Sequence, residues 1–313
     1  MKILFMGTPD FAVGILDAIV NSNAGEIVGV VTQPDKPKGR SGSLIPSPVK
    51  EYAQSHNIKV YQPVKIKASE EVDVLRGIDA DIYVVAAFGQ ILSKEILDIP
   101  KYGCINVHAS LLPEYRGAAP IQWAIYDGKE YTGVTIQQMN EGVDTGDIIS
   151  SVRVEIAGDE TGESLFSKLK DAGADLIVET LIQIGNNTAV HEPQDESKAT
   201  YAKMLKKEMG CIDFSRSAVS IERMIRAFTP WPGGYTYLNG RLIKIKQCRV
   251  EEERDHTGEY GAVTGTSKDG IKVACGEGSL LITRIQPEGK KEMTASDFLL
   301  GNNIPAGTIL GKR

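Results

Sequence analysis

The sequence predicts an α/β domain of the Rossmann-like, parallel-sheet type, followed by a smaller domain of short strands. Its opening combines a short apolar run at 2–7, a helical pattern at 9–21 and a β-rich run at 26–32. This order is typical of a βαβ unit, which implies a parallel sheet. After residue 234 the chain carries short alternating runs separated by turn residues, a pattern that favours a small β-barrel.

The other elements follow from apolar periodicity. Within the first domain we predict helices and strands in the order helix 48–56, helix 69–78, buried strand 81–88, strands 104–109, 133–139 and 148–156, and a closing helix 161–184. In the second domain we predict a helix at 217–227 and strands at 235–238, 242–250, 261–264, 271–275 and 279–285.

Length and composition fit two globular domains. The chain has 313 residues, of which 42% are hydrophobic and 24% are charged. A polar, proline-containing stretch after residue 190 is typical of a linker. We therefore expect a first domain over 1–189, a linker over 190–206 and a second domain over 207–313.

Charge is divided unevenly between the two parts. Residues 1–189 contain 16 Lys/Arg and 25 Asp/Glu, a balance of −9, whereas residues 190–313 contain 19 and 16, a balance of +3. A mildly basic second part is compatible with RNA binding, but the bias is small and by itself favours an ordinary solvated surface. The asymmetry alone identifies no partner.

Nothing in the sequence predicts a membrane segment or an export signal. The longest apolar run, at 82–88, is far shorter than a bilayer requires. The apolar start at 1–7 is interrupted by Thr8-Pro9-Asp10 and reads as a first strand rather than a signal peptide. Four cysteines without Cys-x-x-Cys spacing argue against structural zinc and for a reducing, cytoplasmic location.

The stretch at 103–120 carries the candidate chemistry. Strand alternation sends Asn106 and His108 to one face, and the chain then leaves the sheet through Leu-Leu-Pro. A polar cluster at 140–147 follows another strand and could supply a carboxylate, from Asp144 or from Asp147. Amide, imidazole and carboxylate together suit acyl transfer, as oxyanion donor, proton shuttle and orienting group.

Two other kinds of site are poorly supported. The turn at 7–12 lacks the second and third glycines of a dinucleotide fingerprint. The four histidines show no metal-binding spacing, so we predict no metal.

The segment 33–49 is an unusually long connection. It contains four prolines, two glycines and three cationic side chains. Its composition fits a surface loop, but connections of this length between regular elements are uncommon and are often functional.

These motifs resemble those of the folate-dependent formyltransferases, and among them the enzymes that formylate methionyl initiator tRNA. The resemblance extends over nearly the whole chain. It rests on His-Ala-Ser-Leu-Leu-Pro-Glu-Tyr-Arg-Gly-Ala-Ala-Pro at 108–120, Met-Gly-Thr-Pro-Asp-Phe-Ala at 6–12, Thr-Gln-Pro-Asp-Lys-Pro at 32–37, Pro-Ser-Pro-Val-Lys at 46–50, Gly-Val-Asp-Thr-Gly-Asp at 142–147 and Phe-Thr-Pro-Trp-Pro-Gly at 228–233.

The resemblance implies both a reaction and its catalytic residues. A formyl group would pass from 10-formyltetrahydrofolate, the co-substrate, to the α-amino group of methionyl initiator tRNA. Asn106 would donate to the oxyanion, His108 would shuttle the proton and Asp144 would orient the imidazole. The family also implies that the second domain is an OB-like barrel that helps to hold tRNA.

Further binding residues are implied in the same way. The folate pocket would be formed by Phe88, Gly89, Ile91, Ser110, Leu111, Leu112 and Pro113. The insertion 33–49 would contact the acceptor end of the tRNA through Lys36, Lys38 and Arg40. We expect a monomer with no membrane partner and no metal.

Three alternatives remain open from the sequence. A related formyltransferase that acts on a small amine, such as an amino-sugar nucleotide, would share the catalytic residues but would need neither the basic insertion nor the second domain. The second alternative is a hydrolase or dehydrogenase that releases formate, which would not explain the second domain. The third is a non-enzymatic RNA-binding module on a Rossmann-like scaffold, which would leave the grouping of Asn106, His108 and Asp144 to coincidence.

Overall fold

The computed structural model describes residues 1–38, 43–251 and 259–311. The chain divides into two compact units. Unit 1 consists of Met1–Pro120, Tyr131–Glu155 and Phe166–Ala202, and unit 2 consists of Ile121–Glu130, Ile156–Leu165 and Lys203–Arg313. The domain boundaries expected from composition stay predictions.

Strands of unit 1 begin within the first residues and recur through most of its length. They are β1 (Lys2–Gly7), β2 (Glu26–Val31), β3 (Lys36–Lys38), β4 (Ser43–Ile45), β5 (Val60–Tyr61), β6 (Ile82–Ala86), β7 (Cys104–His108), β8 (Arg116–Gly117), β9 (Tyr131–Gln138), β10 (Ile148–Glu155) and β11 (Tyr201–Ala202).

Within the described part of the chain, the main sheet of unit 1 has seven strands in the order β10-β9-β7-β6-β1-β2-β5. β1 pairs in parallel with both β2 and β6, and β7 pairs in parallel with β6. β9 and β10 then run antiparallel to their neighbours. The carboxyl ends of the parallel strands therefore meet at one edge, where α/β sheets bind ligands.

Helices alternate with these strands along the chain. They are α1 (Asp10–Val20), α2 (Pro48–Ser55), α3 (Ser69–Arg76), α4 (Lys94–Leu97), α5 (Pro120–Tyr126), whose residues from Ile121 onward belong to unit 2, and α6 (Gly162–Gly185), whose first turn does so. α2 shows how the sequence sets a helix start: the Ser47 hydroxyl accepts a hydrogen bond from the Lys50 amide at 3.1 Å, and proline occupies the first helical position.

The segment 33–49 contains a short hairpin rather than only irregular loop. β3 and β4 pair antiparallel, and Lys36 lies opposite Ile45. The base of the segment is held by Lys50, whose Nζ donates to both carboxylate oxygens of Asp35 at 2.9 and 2.7 Å. Gln62 donates to the same carboxylate at 2.7 Å. These hydrogen bonds, that from Lys50 first, lower the pKa of Asp35.

Unit 2 is built on antiparallel strands. They are β12 (Gly234–Leu238), β13 (Arg241–Glu251), β14 (Val263–Ser267), β15 (Gly270–Ala274), β16 (Ser279–Pro287) and β17 (Met293–Thr294), with helices α7 (Ala218–Ala227) and α8 (Ala295–Gly301). β12 and β13 are joined by Asn239 and Gly240, both at positive φ (49° and 75°), as a two-residue hairpin turn requires.

The predicted fold class is confirmed, since a mostly parallel α/β sheet is followed by a separate antiparallel-sheet domain. Apolar periodicity did not predict the short elements β3, β4, β5, β8, β11, β17, α4, α5 and α8. None of these is longer than seven residues, too short for a periodic pattern to emerge.

Leu4 offers a test of the central strand. Its side chain in β1 is fully buried, within a cluster that includes Met6 and Tyr83. We expect Leu4→Ala to lower the free energy of unfolding by about 2–5 kcal/mol, because the cavity it leaves cannot fully collapse. Urea unfolding followed by circular dichroism measures this, with the exposed helical residue Val74→Ala as control. Equal effects of both substitutions would contradict the assigned core.

Candidate active site

Asn106, His108 and Asp144 come together at the carboxyl edge of the main sheet of unit 1. Asn106 and His108 lie on β7, and Asp144 lies in the loop between β9 and β10. The Asn106 amide donates to Oδ1 of Asp144 at 3.3 Å, and His108 Nδ1 lies 3.6 Å from Oδ2. The alternation in the sequence therefore points both side chains toward one carboxylate.

The Asp144 carboxylate accepts from two further donors besides Asn106. Gln137 donates to Oδ1 at 2.9 Å, and the backbone amide of Gly117 donates to Oδ2 at 2.8 Å. Asp144 adopts φ of 54°, a strained conformation for a residue with a side chain. Such a conformation persists where surrounding contacts enforce it, and the hydrogen bonds to the carboxylate supply them.

Asp144, rather than Asp147, faces the imidazole. Asp147 lies three residues further along and uses its backbone carbonyl to accept from the amide of Gln138 at 2.8 Å. The ambiguity that the sequence left is thereby resolved in geometric terms.

His108 is buried, with 6% of its surface exposed. Its Nε2 lies 2.9 Å from the backbone carbonyl of Tyr115. A carbonyl can only accept, so Nε2 carries the hydrogen of this bond and Nδ1 is the nitrogen turned toward Asp144. The distance of 3.6 Å between Nδ1 and Oδ2 of Asp144 is too long for a hydrogen bond, so this contact is electrostatic.

Residues expected at the folate pocket lie in two segments that leave the same edge of the sheet. Phe88 and Gly89 follow β6, and its parallel neighbour β7 leads into 110–113. Phe88 is buried. Its backbone carbonyl accepts hydrogen bonds from Thr8 Oγ1 at 3.0 Å and from Gln33 Nε2 at 3.2 Å. Ile91, in contrast, exposes 63% of its surface.

The second of these segments is tied down by Thr135 on β9. Its hydroxyl donates to the carbonyl of Ser110 at 2.7 Å and accepts from the amide of Leu112 at 3.1 Å. Ser110 itself is buried and donates to the carbonyl of Glu114 at 2.6 Å, whereas Leu111 and Pro113 are half-buried. Backbone groups here are therefore set before any ligand binds.

Of the residues expected to contact tRNA, Lys36 is exposed on β3 and Lys38 ends that strand. Arg40 lies outside the described residues. The structure thus gives no position for that side chain relative to the catalytic residues.

Both parts of the chain match known families. Residues 1–181 match the formyl transferase family and residues 204–303 match the formyl transferase C-terminal domain. The chain belongs to the formyl transferase family. The resemblance drawn from its motifs is therefore confirmed.

Relatives in this family match over their full length. Methionyl-tRNA formyltransferase of Agathobacter rectalis is 51% identical over 309 residues, 99% of each chain. The protein of that name from Lachnospira eligens is 48% identical over 316 residues, 100% of each. Among solved structures, an N-formyltransferase from Helicobacter canadensis, in complex with folinic acid and dTDP-3-aminofucose, gives a TM-score of 0.67 at 21% identity, covering 92% of this chain and 99% of that one.

Three residues around the candidate site were not predicted from the sequence. Thr135 and Gln137 face His108 and Asn106 across the β7–β9 pairing. Their two-residue spacing on a predicted strand indicates that both side chains lie on the same face of the sheet. Gln194, which donates to the backbone carbonyls of Asp144 and Gly146, gave no signal, because it is 50 residues away from Asp144 in the chain.

Over the described ranges, no three or more His, Cys, Asp or Glu side chains group as a metal site would require. The same ranges contain no helix long and apolar enough to span a membrane.

The cysteine thiols differ in their surroundings. Cys104, on β7, is buried, and burial raises its pKa well above the ordinary value. Burial likewise raises the pKa of Cys275 to about 12. Cys211, in contrast, is exposed. A buried thiol with a raised pKa is a poor nucleophile, which weighs against cysteine-based hydrolysis at this site.

We therefore expect a thiol reagent at pH 8 to modify Cys211 first, with about one rapidly reacting thiol per chain, because the thiolate is the reactive form. Release of a chromophoric reagent in native buffer and in urea measures this. Cys211→Ser should abolish the rapid phase, and all remaining thiols should react in urea. Rapid modification of Cys104 in the native protein would contradict the burial described here.

Proposed function

We infer that this protein transfers a formyl group from 10-formyltetrahydrofolate to the α-amino group of methionyl initiator tRNA. The observation that carries the inference is the convergence of Asn106, His108 and Asp144 in a chain that matches methionyl-tRNA formyltransferases from end to end. Membership in the formyl transferase family makes it a formyl-transferring enzyme, and the full-length relatives favour the tRNA as acceptor.

The folate co-substrate supplies the formyl group and a nitrogen leaving group, and the residues named here handle the charge and the proton. An α-amino group has a pKa near 7.7, and the ester linkage to tRNA lowers it further, so that the attacking amine is neutral without a strong base. Asn106 then donates to the oxyanion that develops when the amine adds to the formyl carbon.

One amide nitrogen can serve both Asp144 and the substrate. The Asn106 amide carries two hydrogens, and its bond to Asp144 at 3.3 Å uses one of them. The bond fixes the plane of the amide, so the second hydrogen keeps a defined direction. Asp144 thus orients the oxyanion donor as well as the histidine.

His108 moves the proton from the attacking amine toward the folate nitrogen. An imidazole can both accept and donate a proton, which suits this role. Asp144 stabilises the imidazolium that forms, as carboxylates do in catalytic triads. Because Nδ1 is turned toward the carboxylate, the proton gained during transfer would be held on the side of Asp144.

The folate would lie along the edge formed by 88–91 and 110–113. The exposed Ile91 and the half-buried Leu111 offer apolar surface for a flat ring. The hydrogen bond from the Leu112 amide to Thr135 fixes the backbone of this edge. Folinic acid, a reduced folate, occupies the Helicobacter canadensis structure, which supports this ligand class.

The tRNA would be held by the insertion 33–49 and by unit 2. Lys36, Lys38 and Arg40 supply cationic groups of the kind that contact phosphates and position nucleic acid without reading its sequence. The Asp35–Lys50 pair and Gln62 anchor the base of this insertion to unit 1. We further propose that the enzyme acts as a monomer in the cytoplasm, where initiator tRNA is charged.

A small amine such as an amino-sugar nucleotide is the second candidate acceptor. The Helicobacter canadensis structure with dTDP-3-aminofucose supports it at the level of fold. Its identity of 21% contrasts with 51% and 48% for the tRNA-dependent relatives, which favours the tRNA.

The substrate assignment is tested by offering labelled 10-formyltetrahydrofolate together with methionyl initiator tRNA or a small amine. We expect transfer to the tRNA, and Arg40→Ala should weaken kcat/KM for it by about 10-fold or more, as loss of a charged contact does. The exposed residue Lys101→Ala is the matched control. Turnover of the small amine, indifferent to Arg40, would overturn the acceptor while keeping the reaction class.

The oxyanion donor is tested separately. We expect Asn106→Ala to reduce kcat by about 10²–10³-fold with little change in KM, because the lost hydrogen bond matters most in the transition state. Single-turnover kinetics on preformed complexes measures the step, and exposed Asn23→Ala serves as control. A variant with the kcat of the unmodified enzyme would remove Asn106 from the mechanism.

A further inference from the structure

The segment 191–202, which we call the strap, contacts both loops that carry the catalytic partners. It forms part of unit 1. Near its start, the backbones of Glu192 and Ile148 exchange hydrogen bonds at 2.8 and 2.9 Å. The side-chain amide of Gln194 donates to the carbonyls of Asp144 at 3.0 Å and Gly146 at 2.6 Å. The strap therefore holds the backbone on which the Asp144 carboxylate is mounted.

At its other end, the strap fixes the loop at 113–117. The Thr200 hydroxyl accepts from the amide of Tyr115 at 2.8 Å, and its carbonyl accepts from the amide of Arg116 at 2.9 Å. This loop presents the Tyr115 carbonyl to His108 and the Gly117 amide to Asp144. A Cβ on Gly117 would come within 2.8 Å of the Ala202 carbonyl, so the strap packs directly on the loop.

Arg116 determines which way the Gln194 amide points. Its side chain is almost fully buried, and its guanidinium donates to Gln194 Oε1 at 3.1 and 2.8 Å. It also donates to both carboxylate oxygens of Glu196 at 2.9 and 2.7 Å, and this lowers the pKa of Glu196. Arginine can only donate, so Gln194 must turn its oxygen toward Arg116 and its NH₂ toward the loop of Asp144.

We propose that Gln194 is a positioning residue for formyl transfer, which acts by holding the Asp144 loop through hydrogen bonds to the Asp144 and Gly146 carbonyls. The proposal rests on the function inferred above. Because Asp144 is the common partner of Asn106 and His108, a small shift of its backbone displaces the oxyanion donor and the proton shuttle together. Misplacement by about 1 Å can cost on the order of 100-fold in rate.

Two substitutions separate this role from a merely structural one. Gln194→Met removes both polar groups at similar volume. Gln194→Glu keeps an acceptor for Arg116 but replaces the NH₂ donor with an oxygen, which repels the two carbonyls. We expect both variants to lose about 10- to 100-fold in kcat, with KM for tRNA and folate changed by less than about 2-fold. Gln183→Met, at an exposed glutamine of α6, is the control.

The pathway through Asp144 is tested by repeating both substitutions in an Asp144→Asn background. If Gln194 acts through that carboxylate, the Gln194 variants should cost less than about 2-fold further there, since coupled residues are not additive. Full additivity would overturn the proposal, as would a Gln194→Glu variant with unmodified kcat, because Arg116 would then be the partner that matters.

A measurement without substrate separates this proposal from the inferred function. Deuterium uptake of a peptide spanning 140–148 should rise in Gln194→Met and Gln194→Glu and stay unchanged in Gln183→Met, because released backbone exchanges faster. Unchanged uptake would overturn the positioning role even if the unmodified enzyme formylates tRNA. Raised uptake in a protein that transfers no formyl group would uphold the contact while the inferred function fails.

Discussion

A single carboxylate, that of Asp144, is the constraint on which the site depends. It is largely removed from water, with 14% of its side chain exposed, and a buried carboxylate must be compensated by donors or charge. Those donors come from β7, β9 and the loop after β7, through Asn106, Gln137 and the Gly117 amide. Compensating the Asp144 carboxylate therefore brings three stretches of backbone together around it, and His108 lies beside the same carboxylate.

The pairing of β7 with a parallel strand on one side and an antiparallel strand on the other explains how these groups come together around Asp144. β6 and β7 run in parallel and deliver their carboxyl ends to the ligand-binding edge. β9 runs antiparallel to β7 and ends with Gln138 opposite Ile105, near the start of β7. In that register Asn106 lies opposite Gln137 and His108 lies opposite Thr135. Polar side chains that alternate along two adjacent strands therefore form one layer. This layer receives the carboxylate and anchors the segment after Ser110.

The sequence predicted what is local and left out what depends on distant pairing. The strands around Asn106 and His108 followed from alternation, and most long elements followed from apolar spacing. Strand patterns alone left the choice between Asp144 and Asp147 open, and only the family resemblance pointed to Asp144. The choice depends on φ of 54° at Asp144 and on the amide of Gly117, which no local pattern shows. The hairpin in 33–49 was hidden by prolines and glycines that favour an irregular loop. Gln194 joins the site through tertiary contacts alone.

The choice of acceptor must be made outside the catalytic residues. Proton transfer and oxyanion stabilisation require the same groups whether the amine belongs to tRNA or to a sugar nucleotide, so the site near Asp144 cannot discriminate between them. What differs is how far the rest of the acceptor extends from the reacting nitrogen. A tRNA is a large polyanion, and the proposed function gives both the basic insertion and the second domain a role in binding it. Hydrogen bonds from Lys50 and Gln62 to Asp35 hold the base of that insertion in place. In the function proposed above, a fixed base would limit the entropy lost when the insertion binds the tRNA, and such preorganisation would favour the large acceptor.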